Sequence, residues 1–343
     1  MPSTLPLTQI APDHPVVWEN ETTIRVGFDR ALARVAASSP ASQVVIAKLI
    51  RGATKAELAE SGTRVVDRVL ADLSPVLRYT AVAQGGARQR LAEGVGAQHS
   101  GSAGFTPAAE LRASPKLPAP PALQGAAGTR VRTAGVPTLT ARLSDDGREV
   151  PGLRAALEGP GACDLRRTTA QPDLVIEVHR FLEPLGRTAR WLRAGIPHLM
   201  LRFTDDAARI GPLVAPDGAP CHGCEGLHLT DADPALPAIA SQLYGTVPSS
   251  ETPEVAQLTA AVAVYFLSAW RRRERWVHDR QLELPVAGGT LSAFPKLTRI
   301  RTHTECGCAI SARPRPPPQI ETARETPGPR SRTPRGAARR AHE

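Results

Sequence analysis

The sequence predicts an α/β protein preceded by a small α+β module of winged-helix-like character. Two observations carry this. Residues 173 to 203 alternate strand, helix and strand, and the first 80 residues set three short helices beside two strands. At 343 residues the chain exceeds the usual single domain of roughly 100 to 200, so two folded units with connecting segments are expected.

In the first unit, Val16-Val17-Trp18 and Thr23 to Phe28 concentrate β-branched and aromatic residues and read as strands. Ser42 to Ile50 pairs Val45 with Leu49 and Ile46 with Ile50 at helical spacing, and Gly52 supplies a stop. Thr54-Lys-Ala-Glu57 reads as a capping box opening a second helix that ends by Gly62. Val65, Val66, Val69, Leu70 and Leu73 give a third helix its apolar stripe, so a winged-helix-like module is expected over residues 10–80.

Residues 81–128 shift to Gly, Ala, Ser and Pro and read as a flexible linker. The second unit follows over residues 129–310. Asp173 to Val178 is a compact strand, Leu182 to Ala194 a helix, and His198 to Phe203 a second strand. Such a βαβ unit makes the two strands parallel neighbours. Ile210 to Val214 is a further strand, Pro234 to Tyr244 and Pro253 to Arg273 are helices, and Gln281 to Pro285 with Thr290 to Leu297 flank Gly288-Gly289 as a hairpin.

The formal charge of +9 sits largely in the tail: from Ala309 to Glu343 there are eight Arg against three Glu, leaving +4 on the other 308 residues. A Pro/Arg-rich end cannot bury a core, so residues 311–343 are expected to be disordered. Nucleic-acid binding is not expected, because the third helix carries Asp67 and Asp72 beside Arg64 and Arg68. No run approaches the roughly 18 apolar residues of a membrane span, and no basic start precedes an apolar stretch. A cytoplasmic protein without membrane contact is expected.

Of five cysteines, four stand in two close pairs, Cys221-His-Gly-Cys224 and Cys306-Gly-Cys308. In a chain without a secretion signal such pairs point to metal rather than disulfides. Four thiolates complete tetrahedral zinc and leave no position for a catalytic water, so a structural zinc site is expected, with separate free thiols as the alternative reading. His222, His228 and His303 are nearby alternative ligands. Cys163 reads as a partly buried free thiol. Asp231 and Asp233 before Pro234 read as a helix start, His179 as a polar strand end facing solvent two residues after Glu177, and His198 as a structural histidine.

The stretch Gly195-Ile-Pro-His-Leu199, Gly211-Pro-Leu-Val214, Cys221-His-Gly-Cys224, Leu227-His228, Thr230-Asp-Ala-Asp-Pro234 and Gln242-Leu243 resembles actinobacterial ThiF-like proteins, the leader-peptide-binding or cyclodehydratase-partner proteins of thiazole/oxazole-modified microcins. Thr302-His-Thr-Glu-Cys-Gly-Cys308 is similar to that family's His-rich closing element. The resemblance covers about residues 125 to 310 and implies a ubiquitin-activating-type, Rossmann-like domain with a zinc subdomain. It also implies peptide recognition by residues 10–80, and, since ThiF-type relatives are often dimers, a homodimer.

Adenylating relatives bring backbone N–H groups against phosphate through a Gly-rich turn. The candidate here, Arg130 to Thr138, keeps one glycine of three, Gly135, with Thr133 and Thr138 where glycine is expected. ATP use is therefore not expected. The reading that results is a non-catalytic ThiF-like accessory protein that binds a peptide or protein partner. An ATP-dependent adenylyltransferase acting on a carboxylate is the alternative, and a nucleic-acid-binding regulator a second one.

Overall fold

The computed structural model describes residues 4–83, 139–158, 163–165, 172–182, 186–216, 218 and 220–308. Gly135, nearly all of the expected linker and the expected tail lie outside the described residues. Within them the protein is mixed α/β, with three sheets and eight α-helices.

The first part contains β1 (Thr4–Ile10), β2 (Val16–Asn20), β3 (Thr23–Val26), β4 (Ala33–Ala36), α1 (Pro40–Arg51), β5 (Ala53–Thr54), α2 (Lys55–Ala59), α3 (Thr63–Leu73) and β6 (Leu77–Ala83). It builds two antiparallel three-stranded sheets, ordered β5-β1-β6 and β2-β3-β4. Helix α1 starts where the Ser39 side chain accepts the Ser42 N–H and Pro40 presets the first turn; it ends at Gly52, whose φ of 84° suits glycine. Its buried face is Val45, Ile46 and Leu49. The Thr54–Glu57 capping box forms as read from the sequence. Helix α3 buries Val66, Val69 and Leu73 against the same core as Ile24, Val26 and Val35.

The second part contains β7 (Leu139–Ser144), α4 (Leu153–Glu158), β8 (Cys163–Asp164), β9 (Leu174–Arg180), α5 (Gly186–Arg193), β10 (His198–Phe203), β11 (Ala207–Val214), α6 (His222–Ala232), α7 (Leu236–Gln242), α8 (Pro253–Arg271), β12 (Arg280–Ala287), β13 (Thr290–Leu291) and β14 (Lys296–Arg299). One sheet runs β13-β12-β11-β10-β9-β7-β8, with β14 also on β12. The β8, β7, β9 and β10 strands are parallel, and from β10 onward neighbours are antiparallel. The parallel β9–β10 pair across α5 is the βαβ unit expected from the sequence. On one face, Ile176, Val178, Leu199, Leu201, Phe203 and Ile210 pack against α8 through Ala260, Ala263, Phe266 and Leu267. None of the described helices is long and apolar enough to cross a membrane.

Several expectations need correction. The first part reaches back to Thr4, because β1 lies between β5 and β6, and β6 runs to Ala83 inside the expected linker. The expected strand from Thr290 to Leu297 splits into β13 and β14, each paired with β12. Asp231 does not open a helix but lies in the last turn of α6. Asp233 is both that helix's C-cap residue and, as read from the sequence, a helix start: its side chain accepts the Ala235 N–H at 3.1 Å just ahead of α7.

The two parts meet through the loop after β3. Gly27, at φ 98°, turns so tightly that a Cβ would stand 2.4 Å from the Arg30 carbonyl oxygen. Phe28 then drops into an apolar cluster with Val17, Phe181, Leu236, Ile239 and Leu243, its ring 5.1 Å from that of Phe181. The buried Asp205 carboxylate accepts the Phe28 and Asp29 N–H groups at 2.7 and 3.2 Å. Arg25, with no exposed surface, donates to the Gly27 and Phe28 carbonyls and pairs with Asp233.

His14 closes this junction, its Nδ1 3.5 Å from Asp205 and 3.7 Å from Asp206, and its Nε2 3.9 Å from Asp13. The Asp205 carboxylate beside it holds the imidazole above its usual value of 6.5. A raised value means that the charge on His14 stabilises the fold fully below pH 6.5 and ceases to do so as pH rises through the folded value. The thermal midpoint of the wild type should therefore exceed that of His14→Gln at about pH 6, and the gap should close towards about pH 8.5. A gap that is constant with pH would contradict this.

Candidate metal centre

The second loop of interest leaves β11 and turns into α6 at Cys221. Cys221 is the N-cap residue, extended at φ −107° and ψ 176°, and its carbonyl accepts the Cys224 N–H at 3.0 Å. Both sulfurs thus lie at a helix N-terminus, where unpaired N–H groups favour thiolates. From the other side, Cys306 and Cys308 arrive on the segment after β14, where the His303 carbonyl accepts the Cys306 N–H at 3.1 Å.

The four Sγ atoms all lie within 4.8 Å of one another. Cys221 and Cys306 approach to 3.5 Å, Cys224 and Cys308 to 3.2 Å. A disulfide needs about 2.05 Å, so these are thiols in contact, while four sulfurs about 2.3 Å from one zinc stand about 3.8 Å apart. The set therefore fits one tetrahedral ion. Gly223 fits the same purpose, since a Cβ there would meet the Cys306 and Cys221 sulfurs at 3.3 and 3.4 Å.

Burial pushes the Cys221 thiol up to about 11 and raises Cys308 as well. Cys306 moves the other way: burial opposes its ionisation, but hydrogen bonds from the Cys308 N–H and the neighbouring thiols outweigh it. Thiols that burial holds protonated, as it does Cys221 and Cys308, are what a divalent cation relieves, because metal binding replaces their protons. A cavity of 520 Å³ borders the cluster, lined by Leu192, Pro216, Leu227, Cys221, Cys306 and Cys308.

Helix α6 is attached to the sheet by charge. Its Glu225, buried, pairs with Arg202 of β10 and accepts from Gln281 Nε2 at 2.6 Å. Beside it lie three buried imidazoles, His222 with ring centres 6.4 Å from both His179 and His198. His179, which the sequence led one to expect as a solvent-facing strand end, is instead buried, 3.6 Å from the buried Glu177, because the N-terminal turn of α6 with His222 packs beside it. Glu177 accepts from Trp191 Nε1 at 3.2 Å. Burial depresses His198 to about 4, so it stays neutral, with Nδ1 3.4 Å from the Ile196 carbonyl. Cys163 is a buried free thiol raised to about 11 by burial, in keeping with its reading from the sequence.

Gly135 lies outside the described residues. The turn that leaves the carboxyl end of β7, at the point where strand order reverses between β7 and β9, is 145–152. It presents Asp145 and Asp146, and the nearby guanidinium groups of Arg180 and Arg187 are matched by Glu251 and Asp146. Sequence reasoning missed Glu225, Gly223 and the role of Asp231 beside His303, because the segment from Cys221 to Ala232 did not read as a helix. The i, i+3 spacing of His228 and Asp231 was the available signal.

No family model matches the chain, and no curated protein does. Solved structures similar to it are heterocyclases and microcin synthetase components. A heterocyclase in complex with substrate and cofactor is 13% identical, with a TM-score of 0.39 over 88% of this chain and 39% of that one. The heterocyclase TruD is 14% identical, with a TM-score of 0.39 over 89% and 43%. The E. coli microcin synthetase McbBCD complex is 12% identical, with a TM-score of 0.38 over 88% of this chain and 100% of that one. The chain spans about two fifths of the length of the first two. At these values the likeness speaks for neither activity nor partner.

The purified protein is expected to carry one equivalent of a thiophilic divalent metal, and Cys224→Ser to lose it and to melt several degrees lower. Elemental analysis beside thermal unfolding checks this. A serine variant that keeps its full equivalent would show that the sulfurs are not ligands.

Proposed function

We propose that this protein is a zinc-stabilised, non-catalytic accessory protein of ThiF-like ancestry that captures a peptide and presents it to a partner enzyme. The observation that carries the reading is the unpaired outer edge of β4. Among the described residues β4 pairs only with β3, and α3 packs alongside it. The opposite edge of that sheet is closed at Trp18, whose N–H and carbonyl are both bonded by the Gln242 side chain at 2.9 and 2.7 Å. A peptide adding a strand beside β4 would lie against α3, main-chain hydrogen bonds giving affinity and side-chain pockets selectivity.

Other features support this reading. The order α1, β5, α2, α3, β6 is that of a winged-helix-like module, with β1 completing its sheet. Four sulfur ligands leave zinc no open position, which suits a structural ion. Carboxylates at the turn after β7 oppose a nucleotide phosphate there. The resemblance of residues 195–245 to leader-peptide-binding proteins supplies the expected peptide class, the leader of a ribosomally made natural product.

The Thr22 carbonyl accepts the Ala37 N–H at 2.8 Å, and bonding alternates along an antiparallel strand, so Arg34 and Ala36 direct their backbone groups to the open edge. Ala36→Pro removes an outward donor without breaking the β3–β4 ladder. Peptides selected from a displayed random library and titrated by fluorescence polarisation should bind the wild type and bind Ala36→Pro at least about tenfold more weakly, at unchanged thermal midpoint. Equal binding to both would place recognition elsewhere. Calorimetry with ATP and magnesium should register no binding, and micromolar affinity would favour the adenylyltransferase instead.

A further inference from the structure

Next to the sulfur cluster lies a second group of metal-type side chains, His228, Asp231 and His303, whose donor atoms also fall within 4.8 Å of one another. We propose that it is not a second metal site but a strut: Asp231 holds His303 in one tautomer, and His303 in turn positions the Cys306-Gly307-Cys308 loop over the first cysteine pair. The proposal rests on the reading of the four cysteines as a metal site.

The hydrogen bonds fix where the protons are. His303 Nε2 stands 2.8 Å from Asp231 Oδ2, and a carboxylate only accepts, so Nε2 carries hydrogen. His303 Nδ1 accepts the Glu305 N–H at 3.1 Å, so Nδ1 carries none. One neutral tautomer satisfies both contacts. That tautomer offers no lone pair for a cation lying between Nε2 and Asp231, since a metal there would have to displace the proton that bonds the carboxylate. Metal-bound histidines show the opposite arrangement, donating their other N–H outward to an acceptor.

The same contacts pin the approach to Cys306. The His303 carbonyl accepts the Cys306 N–H, His228 Nε2 donates to the Arg301 carbonyl at 3.0 Å, and the two rings meet edge to face at 4.8 Å. His228 and Asp231 are one turn apart on α6, the helix that carries Cys224. The loop bearing the second cysteine pair is thereby registered on the helix bearing the first. Asp231 is largely exposed, at 65%, so its replacement leaves the core alone.

The test uses the full-length protein in its metal-loaded form. Zinc release to a chromogenic chelator is timed for wild type, Asp231→Ala and Asp231→Asn, with metal content and the spectrum of the cobalt-substituted protein measured alongside. Asp231→Ala should release zinc about tenfold faster, the lower end of what loss of an outer-shell partner causes. Asp231→Asn, whose side-chain oxygen still accepts from Nε2, should stay within about twofold of wild type, with the four-thiolate cobalt spectrum intact in all three. Release from Asp231→Ala at the wild-type rate would overturn the strut while leaving the metal site standing. Two equivalents of metal in the wild type and one in Asp231→Asn would overturn it in favour of a second metal site. A wild type with no metal and no cobalt–thiolate absorption would overturn the metal reading itself, and the strut with it.

Discussion

Helix α6 is held at both ends, and what holds it links the sulfur cluster to the first part of the chain. Its N-terminus carries Cys221 and Cys224; its C-cap, Asp233, receives the buried guanidinium of Arg25 from β3. Eleven residues at about 1.5 Å each separate these ends by about 16 Å. A rigid rod of that length transmits position directly. Whatever fixes the cysteines also fixes Asp233, and through Arg25 the sheet whose outer strand is β4.

This arrangement places ionic groups where apolar ones would be more stable. Arg25 has no exposed surface, and Glu225, Arg202, Glu177, Arg180 and Glu251 are all buried. Buried ion pairs barely offset the desolvation of their members, but removing one partner strands the other and costs about 3–5 kcal/mol. Such pairs resist sliding more than they add stability. An apolar surface on α6 would tolerate a shift of one residue along β10, whereas Glu225 has to meet both Arg202 and Gln281. The two faces of β9 divide the work: Ile176 and Val178 face an ordinary apolar core, while Glu177 and His179 face the polar layer.

Elements that announce themselves by local chemistry were legible in the sequence. Helix α1 was legible in its apolar stripe and in Gly52, with its start expected at Ser42 rather than at the Ser39 cap and Pro40, and the capping box of α2 could be read letter by letter. The β9–α5–β10 unit followed from period and stop signals, and the two cysteine pairs named the candidate site. Helix α6 was not legible, because the residues it buries, His222, Gly223, Cys224, Glu225 and Gly226, carry no apolar period. Its burial comes from sulfur and ion pairs contributed by distant segments, which no local window contains. Strand β1 was hidden by Pro6, which pairs opposite Ala81 in the middle of the β1–β6 ladder, and β6 by its approach to a stretch of linker-like composition.

The proposed role, holding a peptide rather than reacting with it, accords with these features. Four sulfurs leave a tetrahedral ion no position to offer a substrate, and the three buried imidazoles gather at the N-terminal turn of α6, with His198 kept neutral by burial. The turn at the carboxyl end of β7, where an open parallel sheet usually binds its ligand, carries three carboxylates, Asp145, Asp146 and Glu149; Arg148 within it donates to the Gly245 and Thr246 carbonyls, and Arg180 and Arg187 nearby pair with Glu251 and Asp146. The outer edge of β4, unpaired among the described residues, in contrast requires a partner strand or solvent, and it belongs to the sheet that Arg25 fastens to α6. A sheet edge selects a peptide poorly if it moves relative to the surface on which that peptide must be presented. On the proposed reading, the four-cysteine cluster and the buried ion pairs would act on recognition from a distance, by keeping that edge in one place relative to the rest of the protein.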